Sequence, residues 1–505
     1  MRTVFVLFDS LNRHLLGPYG GSRIPTPNFD RLAARATTFE KHYVGSLPCM
    51  PARRDMQTGR LSFLHRSWGP LEPFDESFPR LLFEGGIYSH LITDHQHYFE
   101  DGGATYHTRY DTWDFIRGQE GDPWKAMVAP PWERLRELYH PRQYSEQRRS
   151  YYARHMINRE FIREERDFPS AQCFARGIEF LEANRAADGW FLQIETFDPH
   201  EPFYAPARFR EKFQTGWNGP IRDWPRYGRV DELPEECEEL RANYYALVAF
   251  CDSLLGGLLD YFDAHDLWRD TALLVTTDHG FLLGEHDFWA KNRMSLYEEI
   301  VHIPFFFHHP NIGHGGQRTQ TLTQTIDLAL TFLDIFGLAG PDGMQGISVV
   351  PALREEPRTL RPGVIFGYFG GAVNVTDGRF VYHRYPRDLA TQEIYQYTLM
   401  PQHIWQPFSA DELRRVELAP PLPFTKGMPV LQIPVLNTSP MYNNYGPGAL
   451  LEHETRLYDL EGDPGQLHPL QDLNNEARLA ALMQSLMRAA DAPAEAYTRL
   501  DFIAG

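Results

Sequence analysis

The chain has little cysteine, no long apolar run and no excess of positive charge. Its 4 cysteines in 505 residues are too few for a disulfide framework. No stretch approaches the ~18 consecutive apolar residues of a membrane span, and the run that begins at Val4 is too short for a secretory signal. We therefore expect a cytoplasmic protein without a membrane anchor.

The charge excludes some partners. A formal net charge of −18 disfavours nucleic acid, whose binding surfaces are basic, and anionic lipid. An anionic ligand would therefore need a local cluster of cations to attract it. Hydrophobic residues make up 42% of the chain and charged residues 23%, which is typical of a globular protein with a sizeable core.

Short apolar runs alternate with helical patterns and predict an α/β fold, a large, mostly parallel sheet covered by helices on both faces. We predict strands at 4–8, 88–93, 190–196, 272–276 and 303–307, and helices at 173–184, 236–262 and 322–336. Residues 1–360 form this domain. Residues 361–505 are expected to form a smaller α+β domain, with strands at 364–369, 373–375 and 380–382, a helix at 476–488 and a loop-rich insertion at about 401–450.

Cys49 opens the most informative segment of the chain, Cys-Met-Pro-Ala-Arg, which ends at Arg53 and is followed by Thr-Gly-Arg at 58–60. By itself this pattern also fits a buried cysteine beside a turn proline. Asp9 and the pair Asp278–His279 each follow a predicted strand, so they can face one cleft at the carboxyl edge of the sheet. Carboxylates with an imidazole suit one divalent cation, although Asp-His-Gly is also a common turn.

Three further segments carry polar groups suited to anion chemistry. His200 lies between Pro199 and Pro202 on a loop after a predicted strand. The run 93–97, Thr-Asp-His-Gln-His, contributes His95 and His97, and Lys291 follows Trp-Ala in a long motif that begins at Thr277. A histidine is more often structural than catalytic, so these three remain candidates at this stage.

Together these segments resemble the type I sulfatases of the alkaline phosphatase superfamily. The resemblance extends from the first strand to the Leu-Tyr-Asp-Leu-Glu-Gly-Asp-Pro run at 457–464. It implies an alkaline-phosphatase-like fold and hydrolysis of sulfate esters. It also implies that a formylglycine-generating enzyme oxidises Cys49 to formylglycine, whose hydrate is the nucleophile. One Ca²⁺ or Mn²⁺ ion would be held by Asp9, Cys49, Asp278 and His279.

The same resemblance implies roles for the other candidates. Arg53 holds the hydrate, whereas Lys291 and His200 bind the anion and protonate the leaving oxygen. His95 replaces a lysine that grips the anion in many sulfatases, and His97 keeps the family's histidine. The substrate would be a small anion, and a homo-oligomer is left open.

Besides His95, the chain departs from the family pattern at three positions. Ser10 stands where a second aspartate is usual, and Asn12 is a candidate to replace it; Ala290 replaces glycine and His302 replaces arginine. Related phosphonate monoester hydrolases vary such positions, and the run 65–68 resembles one of theirs. Phosphonate monoester or phosphodiester hydrolysis is therefore the alternative, and a non-catalytic binding protein is the third reading.

Overall fold

The computed structural model describes residues 1–354, 359–439 and 441–502. The predicted domains and insertion also contain residues 355–358, 440 and 503–505, which lie outside the described residues. The strands are, in chain order, β1 Arg2–Phe8, β2 Thr37–Tyr43, β3 Ser46–Leu47, β4 Tyr88–Thr93, β5 Thr112–Phe115, β6 Trp190–Thr196, β7 Gly228–Arg229, β8 Thr271–Thr277, β9 Leu282–Leu283, β10 Phe288–Ala290, β11 Phe305–His308, β12 Arg318–Gln324, β13 Val364–Tyr368, β14 Val373–Thr376, β15 Phe380–Arg384, β16 Tyr395–Thr398, β17 Glu417–Ala419, β18 Val430–Pro434 and β19 Arg456–Asp459.

The helices are α1 Pro27–Ala33, α2 Cys49–Thr58, α3 Phe78–Glu84, α4 Ala104–His107, α5 Trp132–Leu138, α6 Tyr151–Arg159, α7 Pro169–Ala183, α8 Ala207–Arg210, α9 Pro234–Ala264, α10 Glu298–Val301, α11 Asp327–Ile335, α12 Ala410–Leu413, α13 Tyr442–Tyr445, α14 Leu473–Ala489 and α15 Ala494–Thr498.

The central sheet has eight strands in the order β12-β2-β11-β8-β1-β6-β4-β5. Its strand pairs are parallel, except that β11 is antiparallel to both of its neighbours. This arrangement confirms the predicted mostly parallel sheet. Because parallel neighbours end at the same edge, the segments after β1, β6 and β8 meet there.

Helices cover both faces of this sheet. Val4 and Val6 of β1 belong to the core under α9, and Phe5 and Leu7 belong to the core under α2, α3 and α11. Successive side chains of β1 point alternately into these two cores, so both faces of the strand are buried and its sequence is continuously apolar. Helix α9 is long and apolar enough to cross a membrane by length and composition, but 67% of that window is buried inside the fold, as in a core helix.

A second sheet joins the C-terminal part of the chain to the start of the main domain. Its order is β19-β15-β14-β13-β3, and α14 packs on it through Leu479, Met483 and Met487. Strand β3 pairs in parallel with β13, and it ends two residues before Cys49. The C-terminal sheet therefore helps to position the segment that leads into α2.

Three predictions of local structure need correction. The helix expected at 322–336 begins at Asp327, because residues 322–324 pair with β2 as the end of β12. The strand expected at 303–307 is Phe305–His308. The expected loop-rich insertion contains β17 and β18, which form a three-stranded sheet with β16. These short strands carry little alternation, so periodicity did not reveal them.

The stability of the α1–α9 contact can be tested at Asp252. This residue of α9 is 3% exposed, and its Oδ1 accepts the backbone N–H groups of Asn28 and Phe29 at 2.9 Å each. We expect Asp252→Ala to lower the free energy of unfolding by about 1–3 kcal/mol, because it leaves buried N–H groups without an acceptor. Urea denaturation measures the change.

Asp260→Ala is the matched control on the same helix. Its carboxylate is 73% exposed and pairs with Arg31 of α1, so the loss should stay below about 1 kcal/mol. Equal losses in the two variants would contradict a stabilising role for the hydrogen bonds from the first turn of α1 to Asp252.

Candidate active site

Strand register brings the acidic candidates together. Phe8 at the end of β1 is paired with Thr277 of β8 and with Thr196 of β6, so Asp9 and Asp278 leave the sheet side by side. The backbone N–H of Ser10 donates to Asp278 Oδ1 at 3.1 Å. Gly280 is required after this pair, because a Cβ there would lie 1.9 Å from the carbonyl oxygen of Glu299. At the sheet edge, the backbone of the Asp-His-Gly run therefore passes close to the backbone at Glu299.

Four predicted ligands converge at this edge. Single ligand atoms of Asp9, Cys49, Asp278 and His279 all lie within 4.8 Å of one another, and all four residues are buried. The Nδ1 of His279 lies 2.9 Å from the carbonyl oxygen of Gly280. If Nδ1–H donates to that oxygen, Nε2 carries a free lone pair directed at the cluster. The donor set therefore fits one divalent cation.

Helix α2 positions Cys49 and Arg53. Every residue of this helix is buried, and it ends at Gly59, whose φ of +63° explains the glycine of the Thr-Gly-Arg run. Arg53 lies one turn after Cys49, and its Nη1 donates to the Cys49 carbonyl oxygen at 3.1 Å. Its guanidinium also contacts Asp278 at 2.6 Å and Asp9 at 2.9 Å.

Glu195 is a site residue that the sequence analysis missed. Its Oε1 accepts from Arg53 Nε at 2.6 Å, and its Oε2 accepts from Tyr98 and Gln193 at 3.0 Å each. Phe191 of the same strand packs in the core under α2, so the alternation of β6 places Gln193 and Glu195 on that side. A carboxylate inside a predicted strand that begins with three apolar residues was the signal that could have revealed it.

Lys291 is buried among the predicted ligands. Its Nζ lies 2.9 Å from Ser10 Oγ, 3.4 Å from Cys49 Sγ and 3.3 Å from His279 Nε2. Burial lowers the pKa of Lys291, whereas the anionic groups around it, Cys49 as a thiolate and then Asp9, raise it overall. When the Cys49 thiol is neutral, the carboxylate of Asp9, 3.8 Å from Nζ, is the nearest anion that favours protonated Lys291.

Two features of the backbone and the thiol complete this part of the site. Ala290, immediately before Lys291, has a φ of +72°. Glycine adopts this conformation without strain, which explains why the sulfatases that this segment resembles usually have glycine here. Burial, assisted by Asp9, raises the pKa of the Cys49 thiol well above its ordinary value. The unmodified thiol is therefore neutral and a poor nucleophile.

The three candidate histidines differ in charge. Burial and the nearby Arg53 lower the pKa of His95 well below its ordinary value, and its Nε2 lies 3.8 Å from Asp9 Oδ2. Burial also lowers the pKa of His97, but Glu100, 2.6 Å away, reverses this and raises it. Burial and Lys291 lower the pKa of His200, whose Nδ1 lies 2.7 Å from the carbonyl oxygen of Glu201.

Ser10, which replaces an aspartate, and Asn12, the candidate substitute ligand, both form hydrogen bonds in the structure. Ser10 Oγ donates to Asp9 Oδ1 at 2.7 Å and accepts from Lys291, so it links a carboxylate to a cation. Asn12 was wrongly expected to replace the missing ligand. Its amide donates to the carbonyl oxygen of Phe281 and its Oδ1 caps the following 3₁₀ turn, so both polar atoms are engaged elsewhere.

A cavity of about 830 Å³ lies beside the cluster of Asp9, Cys49, Asp278 and His279. Gln96, which lies between His95 and His97, and Asn292, which follows Lys291, are part of its wall. Trp405 contributes another part and packs against His97, with ring centres 5.8 Å apart. The buried cluster therefore has an adjoining space large enough for a small organic molecule.

Solved structures share this fold. A protein in complex with its substrate D-glucosamine-2-N,6-O-disulfate superposes with a TM-score of 0.66 at 16% identity, over 97% of this chain and 98% of its own. A phosphonate monoester hydrolase of Agrobacterium radiobacter gives a TM-score of 0.64 at 18% identity, over 97% of this chain and 95% of its own.

Sequence comparison identifies the family. An N-acetylglucosamine-6-O-sulfatase of Bacteroides thetaiotaomicron is 23% identical over 407 residues, which cover 70% of this chain and 71% of that protein. A family model for the C-terminal part of N-sulphoglucosamine sulphohydrolase matches residues 284–407. The sulfatase family model matches residues 2–338, which hold the cluster of Asp9, Cys49, Asp278 and His279, and the chain therefore belongs to the sulfatase family of ester hydrolases.

Proposed function

We propose that this sulfatase hydrolyses small sulfate monoesters. Its nucleophile would be a formylglycine made from Cys49, and one divalent cation would assist it. The observation that carries the proposal is the convergence of Asp9, Cys49, Asp278 and His279 within 4.8 Å. Oxidation of Cys49 by a formylglycine-generating enzyme would supply a hydrate oxygen in place of the neutral thiol. A bound Ca²⁺ or Mn²⁺ ion supplies positive charge that stabilises the transferred group and lowers the pKa of the nucleophile.

Side chains of the protein itself would orient residue 49, bind the anion and protonate the leaving oxygen. Arg53 orients residue 49 through its carbonyl oxygen and offsets the charge of Asp9 and Asp278. Lys291, protonated and 3.4 Å from Cys49 Sγ, binds the anion and holds the proton for the leaving oxygen. His200 is neutral before substrate binds, and its contact with the Glu201 carbonyl oxygen holds the imidazole ring in place.

The charges around the cluster favour a singly charged transferred group. His95 is neutral, Arg53 is already engaged by three carboxylates and His97 is paired with Glu100, so among the described residues Lys291 is the cation left for the substrate at the cluster. A sulfate monoester, a phosphonate monoester and a phosphodiester each carry one negative charge on the transferred group, whereas a phosphate monoester carries nearly two near neutral pH. Phosphonate monoester or phosphodiester hydrolysis is therefore the second candidate.

The first prediction concerns the nucleophile. Cys49→Ala should lower kcat for 4-nitrophenyl sulfate by at least ~10³-fold, because it removes the precursor of the covalent nucleophile. Mass spectrometry of the peptide that contains residue 49 should find formylglycine in the active wild-type protein. Cys251→Ala, at another buried cysteine on α9, is the matched control and should retain activity. Residual activity of a few per cent in Cys49→Ala would refute the assignment.

The second prediction concerns the cation. Asp278→Asn removes one of the two charged ligands, so bound metal and activity should fall together. Elemental analysis of the purified protein measures occupancy and identifies the ion. The exposed Asp260→Asn serves as the control for an equal change of charge. Full occupancy in Asp278→Asn would contradict the proposed ligand set.

The third prediction separates the two candidate functions. We expect kcat/KM to be highest for an aryl sulfate, lower for the matched phosphonate monoester and lowest for the phosphate monoester, all measured at one pH. A phosphonate monoester that exceeds the sulfate by tenfold, about 1.4 kcal/mol in activation free energy, makes the second candidate the function. A phosphate monoester that leads the series would contradict the charge argument.

A further inference from the structure

Four arginines line the cavity above the catalytic cluster: Arg117, Arg149, Arg154 and Arg293. We propose that this cavity selects sulfate esters whose leaving group carries a second anionic group, a further sulfate or a carboxylate. Arg149 and Arg154 are the specificity-determining residues that bind this second group. The inference rests on the proposed function and adds the substrate class.

The acidic side chains of the cavity are already neutralised. Asp122 accepts from Arg117 through both carboxylate oxygens, at 2.8 to 3.2 Å. Glu100 accepts from His97 Nδ1 at 2.6 Å. These two carboxylates are the acidic groups among the described lining residues, and each has a cationic partner within the protein. The remaining arginines are therefore uncompensated.

Arg149 and Arg154 form no ion pair with any carboxylate in residues 1–354, 359–439 and 441–502. Arg154 donates to the carbonyl oxygen of Gly121 at 3.4 Å, a long contact to a neutral group. Arg293 likewise donates to neutral acceptors, the carbonyl oxygens of Asn292 and Asn444 at 3.0 Å each. In a chain with a net charge of −18, three uncompensated arginines around one cavity provide the local positive potential that attracts an anion.

The shape and lining of the cavity indicate what carries that anion. Tyr151, Tyr227, Trp405 and Tyr445 supply flat apolar surface beside the arginines. A sugar or aryl ring can pack on such surface while its charged substituent reaches a guanidinium, which binds sulfate and carboxylate groups through paired N–H donors. A cationic leaving group would be repelled by the same arginines. The cavity therefore fits a ring that bears a second negative charge.

Direct binding tests the proposal without turnover. The full-length protein with unmodified Cys49 is titrated calorimetrically with N-acetylglucosamine 6-sulfate and with glucosamine 2-N,6-O-disulfate, in the same metal-containing buffer. The two probes differ in whether the nitrogen carries a neutral acetyl group or a second sulfate. We expect the disulfate to bind wild type at least ~10-fold more tightly, as expected for one added charge-assisted contact.

Variants identify the residues responsible. Arg149→Ala/Arg154→Ala should reduce the preference to within about twofold, and Arg149→Lys/Arg154→Lys should keep much of it because the charge remains. Arg166→Ala/Arg269→Ala removes two arginines whose side chains are 82% and 78% exposed and lie outside the cavity lining, so the preference should persist. Arg149 is exposed, so Arg149→Glu offers a second variant with little risk to folding, and it should abolish the preference.

The outcomes separate this inference from the proposed function. Equal affinity of wild type for the two probes, no binding of either, or an intact preference in the double alanine variant would overturn the inference. Turnover of 4-nitrophenyl sulfate and of both sugar sulfates by the formylglycine form is measured in parallel. Turnover of none of the three would overturn the proposed function, whereas the binding preference would still test the cavity.

Discussion

The ion pairs of Arg53 are the interaction on which the rest of the site depends. Asp9, Asp278 and Glu195 bring three carboxylates into one water-poor region, and the guanidinium contacts all three within 2.9 Å. Burying such charges costs several kcal/mol each unless they are paired and hydrogen-bonded. Arg53 provides this pairing, and because it lies one turn after Cys49, helix α2 carries both Cys49 and the cation that balances these carboxylates.

This arrangement also leaves oxygen atoms beside Cys49 that could hold a cation. Arg53 contacts one oxygen of Asp9 and one of Asp278. Among the described residues, Asp9 Oδ1 accepts from Ser10 Oγ and Asp278 Oδ1 accepts from the N–H groups of Ser10 and His279, with Lys291 Nζ 3.8 Å from Asp9 Oδ1. These oxygens and His279 Nε2 can coordinate a hard or borderline metal ion. Lys291 then lies on the substrate side, where its charge acts on the transferred anion. Arg53 and Lys291 thus contact different groups within one buried cluster.

The charge around the cavity is opposite in sign to the net charge of the chain. A net charge of −18 disfavours anionic ligands at long range, yet the cavity holds three arginines without acidic partners among the described residues. Salt screens the global field within ~10 Å, so the nearby arginines dominate what a substrate experiences at the cavity. His95, whose pKa is well below its ordinary value, adds no positive charge at the cluster itself. The positive charge that has no acidic partner among the described residues therefore lies at the cavity, whereas Arg53 and Lys291 lie among the carboxylates of the cluster.

The sequence by itself determined the parts of this protein that reside within single segments. The continuous apolar runs predicted β1, β6 and β8, and Asp9 and Asp278 at their ends predicted the acidic cluster. The Cys49–Arg53 spacing placed both side chains on one turn of helix. Only the tertiary structure revealed Glu195, the engagement of Asn12 with the Phe281 carbonyl oxygen, and the convergence of Arg149 and Arg154 on one cavity. Periodicity reports which residues of one element are buried, whereas contacts between distant segments depend on strand register and helix packing, which no local pattern encodes.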